Sequence, residues 1–181
     1  MKKIMDKVSF IAKELQLEEW KIKEILGLPL QSCQVSMEEA MRLYTSASEG
    51  SELERVALQR LNELSLKEIE KAKTVEEIKI AHNSAMSGSE AEKIAFAKWN
   101  QLSLKELAQS KTFEEVVDTY NSSPIGSEAE AAALLEWDNR SLIRIERANT
   151  FEEVVFAYNF TPHEGKSSEA AIKKMYDLLD K

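Results

Sequence analysis

Four pairs of adjacent glutamates carry the most obvious capacity for chemistry: Glu38-Glu39, Glu76-Glu77, Glu114-Glu115 and Glu152-Glu153. Paired carboxylates can ligate a divalent metal or divide acid–base work. Each pair, however, ends three residues after a Ser or Thr: Ser36, Thr74, Thr112 and Thr150. That spacing is the capping box, in which the hydroxyl accepts from the third helical N–H and the Glu reaches back to the cap's own N–H. Carboxylates there also face the positive end of the helix dipole. The pairs therefore read as helix starts. A carboxylate di-metal bundle would use Glu-x-x-His, and neither histidine follows a Glu at that spacing.

The other reactive side chains are sparse. His82 and His163 are the only histidines, and no Cys or His clusters with either to complete a metal site. Cys33 has no base placed to activate it and reads as a small buried thiol. No Gly-rich phosphate loop occurs. The expectation is a chain that is not an enzyme, with no cofactor, metal or catalytic residue.

The helix starts are in phase. Thr112-Phe-Glu-Glu-Val116 recurs as Thr150-Phe-Glu-Glu-Val154, Thr74-Val-Glu-Glu-Ile78 and Ser36-Met-Glu-Glu-Ala40, always 38 residues apart. Further Ser-x-x-Glu pairs fall at Ser51/Glu54, Ser89/Glu92 and Ser127/Glu130, and again at Ser65/Glu68 and Ser103/Glu106. Each is a cap worth about 1 kcal/mol. Taken as starts, they divide every unit into three helices, A of about ten residues, B of about thirteen and C of about two turns. Gly50, Gly88 and Gly126 stand between A and B. The organisation is an N-terminal cap or degenerate repeat (1–35), repeats over 36–73, 74–111 and 112–149, and a partial repeat over 150–181. Aligning its last helix on Ser168 implies three inserted residues and a lost capping Glu at Ala171.

Apolar residues repeat with the units. Slots 37/75/113/151, 40/78/116/154 and 44/82/120/158 share one face of helix A. In helix B the stripe is 53/91/129, 57/95/133 and 61/99/137, widened by Leu58/Phe96/Leu134. Trp99 and Trp137 thus read as core. One unit cannot bury such faces alone, whereas stacked units can. The fold class is all-α, an α-solenoid of 38-residue three-helix repeats. In helix count and period this resembles armadillo and HEAT-type α-solenoids, and the resemblance implies binding of a protein or peptide on an extended surface.

The slot opposite the core face of helix A holds Arg42, Ile80, Asp118 and Phe156. These are the candidate partner-binding residues, since two are apolar where water is expected. A charge of −8 disfavours nucleic acid and favours a basic partner. The single Cys fits a cytoplasmic, reducing setting. No apolar run approaches the roughly 18 residues of a membrane span. Two alternatives stay open. Residues 1–30, with Lys2, Lys3, Lys7, Lys13, Lys21 and Lys23, could form a nucleic-acid-binding regulator. The incomplete last repeat could instead support self-assembly.

Overall fold

A computed structural model describes residues 36–179 continuously, together with residues 7, 10–13 and 22. The expected cap over 1–35, with its break at Gly27 and Pro29 and with Cys33, lies almost wholly outside the described residues. Eight helices follow in order: α1 (Met37–Ser46), α2 (Glu52–Lys71), α3 (Val75–Ser84), α4 (Glu90–Gln109), α5 (Phe113–Ser122), α6 (Glu128–Arg147), α7 (Phe151–Tyr158) and α8 (Lys166–Leu179). Short and long helices alternate, and no strand occurs among the described residues. The chain forms two compact units, one of residues 1–72 and 76–95, the other of 73–75 and 96–181.

Each 38-residue segment holds two helices, not three. The expected helices B and C are one continuous helix of 20 residues in α2, α4 and α6. The reason lies at Ser65, Ser103 and Ser141. As caps they would sit in extended backbone at a helix start, with their hydroxyls on backbone N–H groups. Instead they lie mid-helix, are 2%, 0% and 2% exposed, and their hydroxyls have no hydrogen-bond partner. In α2 they continue an unbroken inward stripe of Leu53, Ala57, Leu61, Ser65 and Ile69, four residues apart. No Gly or Pro interrupts the long helices, so nothing stops them at these serines. The three-helix unit, and with it the armadillo-type comparison, is thereby corrected.

The remaining starts behave as capping residues. Reciprocal boxes close at Ser36/Glu39, Thr112/Glu115 and Thr150/Glu153. At the long helices the Ser hydroxyl accepts as expected, but the Glu reaches one residue further back. Glu54, Glu92 and Glu130 accept from the N–H of Gly50, Gly88 and Gly126 at 2.6, 2.6 and 2.7 Å. Those glycines have φ of +72°, +76° and +75°, a region costing other residues about 1–2 kcal/mol. The last long helix starts at Lys166, in phase with Glu52, Glu90 and Glu128, so no residues are inserted. Gly165 takes the Ser slot there, because a Cβ would stand 2.2 Å from an Asp138 oxygen.

Small residues set the packing. Ala57, Ala95, Ala133 and Ala171 occupy one slot, and all are fully buried. Ala40, Ile78, Val116 and Val154 are their counterparts on the short helices. In the first unit Ala40, Leu43, Ala57 and Leu61 form a cluster that Ile11 also touches. In the second, Ile145, Ala148, Val154, Ala157 and Ala171 do the same. Phe96 and Leu134, expected to widen the stripe, are exposed instead.

One polar slot joins successive long helices. The Asn62 side-chain oxygen accepts from Ala91 N–H at 3.0 Å, and Asn100 accepts from Ala129 N–H at 2.8 Å. Asp138 replaces Asn in the next copy and accepts from the N–H groups of Lys166 (3.0 Å) and Ser167 (2.9 Å) and from the Ser167 hydroxyl. Each bond satisfies a first-turn N–H that has no partner within its own helix. Burial pushes the Asp138 carboxyl up, but the Ser167 and Lys166 hydrogen bonds and the Lys166 charge prevail and hold it below its usual value.

Two predictions follow from these contacts. Ser103→Ala should be neutral or stabilising in urea unfolding, since it removes an unpartnered buried hydroxyl, whereas a cap would lose about 1 kcal/mol. Ser103→Leu should destabilise by about 1–3 kcal/mol through overpacking. The depressed Asp138 carboxyl stabilises the fold above its unfolded value of about 4, and that contribution is lost as pH falls through the lower folded value. Asp138→Asn should therefore be less stable at pH 7 and lose less stability on acidification below about pH 4, read from urea midpoints across pH.

Candidate functional site

The C-terminal end of a long helix and the short helix after it enclose a groove. In the first unit, α2 supplies Glu68, Lys71 and Ala72, and α3 supplies Glu77, Ile80 and Ser84, around a volume of about 450 Å³. In the second unit, α4 supplies Glu106, Gln109 and Ser110, and α5 supplies Glu115, Asp118 and Ser122, around about 480 Å³. Every residue of the second set lies 38 after its counterpart in the first. The same frame is thus built twice with different linings.

Local chemistry explains the frame. Ala72 and Ala81 lie buried beneath the first groove. Trp99 and Trp137, half-buried in the expected stripe, fix the end of the following short segment. Their indole N–H groups donate to the carbonyls of Ser122 and Phe160 at 2.8 and 2.7 Å. Arg140 adds bonds to the Thr112 and Ser110 carbonyls. Lys174 donates to the carbonyls of Ile145 and Glu146 at the end of α6.

The candidate residues Arg42, Ile80, Asp118 and Phe156 are all exposed, with Ile80 at 61% and Phe156 at 54%. Ile80 and Asp118 line the two grooves. Phe156 occupies the corresponding slot beside α6, within a cluster the sequence reading missed. There the Arg144 guanidinium carbon lies 5.6, 5.0 and 5.4 Å from the ring centres of Phe113, Phe156 and Phe160. Phe156 and Phe160 pack at 5.1 Å. Arg144 sits 38 after Glu106, and its departure from the Ser-x-x-Glu pattern was the visible signal.

The groove carboxylates divide into two kinds. Glu115 is held below the usual carboxylate range by hydrogen bonds from the Thr112 and Lys111 N–H groups. Glu153 is held down in the same way by the Asn149 and Thr150 N–H groups. Both are occupied in capping. Glu106 and Asp118 have no such bonds and face the groove. Among the described residues no group of three or more His, Cys, Asp or Glu side chains is arranged to hold a metal. His163 lies with Trp137 and Pro162 along a separate cavity of about 730 Å³. No described helix is long and apolar enough to cross a membrane.

No protein-family profile, curated protein or solved structure matches the chain.

Phe156→Leu should leave overall stability within about 0.5 kcal/mol, as for surface substitutions generally. It should nevertheless shift the Arg144 side-chain NMR signals by removing one ring. Unchanged Arg144 signals would contradict this geometry.

Proposed function

We propose that the chain is a non-catalytic scaffold, an α-solenoid of 38-residue helical repeats that binds a protein or peptide segment in its grooves. The observation that carries this reading is the repeated groove with variable lining. The caps of the short helices and the alanine slot stay chemically constant in all four copies, and the glycine slot in the first three. The slots that change, 68/106/144 and 80/118/156, are exposed except at the half-buried Arg144. A frame held constant with a lining that varies suits recognition of an extended chain, one side chain per copy. Glu106 and Asp118, whose carboxylates have no ion-pair partner among the described residues, favour a partner carrying basic residues at that copy. The single Cys33 fits a cytoplasmic setting.

The test is selection of binding peptides from a displayed random library against the full chain. The selected peptides should lose at least about tenfold in affinity when Ile80→Glu and Phe156→Ala are combined, that is, 1.4 kcal/mol or more. Helicity should be unchanged. Equal affinity for the double variant would overturn the groove reading.

A second reading, self-assembly, is favoured by one observation. Ile172, Tyr176 and Leu179 lie at i, i+4 and i+7 on α8, and all three are exposed. Light scattering should then show a mass that rises with concentration and falls in Tyr176→Glu. A constant monomer mass would eliminate this reading. The nucleic-acid alternative, which rests on residues 1–30, receives no support from the acidic composition.

A further inference from the structure

The slots beside α6 that correspond to the lining of the two grooves differ from them in the sign of their charge. Arg144 stands where they carry Glu68 and Glu106, and Arg147 where they carry Lys71 and Gln109. Phe113, Phe156 and Phe160 stand at the slots of Met37, Ile80 and Ser84. The three rings surround the Arg144 guanidinium at 5.0–5.6 Å. Arg144 is half-buried, and among the described residues its side chain makes no hydrogen bond or ion pair. Arg147 likewise has no carboxylate partner among the described residues. Glu153, the acid at the slot of Glu77 and Glu115, is occupied by the N–H groups of Asn149 (2.6 Å) and Thr150 (3.2 Å).

We infer that this copy binds a carboxylate side chain of an acidic, apolar peptide segment, with Arg144 as the acceptor's bidentate partner. A guanidinium stacked on aromatic faces keeps its N–H edge directed away from the rings. Five donors in a fixed fork match a carboxylate, and the orientation is already set by the phenyl rings. Phe156 and Phe160, both exposed, supply apolar surface for the residue next to the carboxylate. This rests on the groove reading above and specifies the ligand of one copy.

The experiment titrates the full chain with two blocked hexapeptides, acetyl-(Leu-Glu)₃-amide and acetyl-(Leu-Lys)₃-amide, followed by NMR of labelled Phe and Arg side chains. The Leu-Glu peptide should shift the Phe113, Phe156, Phe160 and Arg144 signals and weaken as salt is added. Arg144→Gln should reduce its affinity at least tenfold, and Arg144→Lys should retain part of it. Arg55→Gln, which removes an exposed arginine paired with Glu52 on α2 and outside the grooves, should change little. Leu-Glu binding that Arg144→Gln leaves intact, or stronger binding of the Leu-Lys peptide at these rings, would overturn the inference while leaving the groove reading standing. If neither hexapeptide nor any library peptide bound, both would fall.

Discussion

The structure depends on how a long helix begins beside its predecessor. The first N–H groups of any helix lack partners within it, and a buried one left unpaired costs about 1–3 kcal/mol. Asn62 and Asn100 answer that need from the middle of the preceding long helix. The same bond fixes the register between the two helices. Once register is set, the fully buried alanines can meet their neighbours closely, and the short helix in between has one place to lie. The groove walls are a by-product of that placement.

A frame held this way tolerates changes in its lining. The exchange of Glu for Arg at position 144 and of Ile for Phe at 156 leaves the caps, the buried alanines and the tryptophan bonds as they were. Where Asn gives way to Asp at 138, the adaptation is local: Gly165 replaces the capping Ser, and the carboxylate accepts from the N–H groups of both Lys166 and Ser167. Charge has thus moved into the junction, where it is fully hydrogen-bonded. It has also moved into the groove, where Arg144 is stacked but not paired.

The all-α class, the short helices and their caps were legible in the sequence because each rests on local chemistry: a hydroxyl, a Glu three residues on, a Gly with positive φ. The exposure of Ile80 and Phe156 also followed from helical spacing. The number of helices per unit was misread at Ser65 and Ser103, since Ser-x-x-Glu is the same string at a helix start and in a helix interior. What distinguishes them is the continuation of the stripe from Leu61 through Ser65 to Ile69, a property of packing. Likewise Asn62 and Ala91 are 29 residues apart. Nothing local marks an amide that will meet a backbone N–H at that distance. The Arg144 cluster was hidden for the same reason, because Phe113 comes from α5 whereas Phe156 and Phe160 come from α7 and the turn after it.

Those distances along the chain have a kinetic meaning. The side-chain ties between copies link residues 23 to 30 apart, from Trp99 to Ser122 and Trp137 to Phe160 at 23 up to Arg140 and Ser110 at 30. Closing loops of that size is entropically cheap compared with joining distant ends, and low contact order speeds folding. A newly made copy can therefore acquire its native ties as soon as its neighbour has been synthesised, without waiting for the rest of the chain.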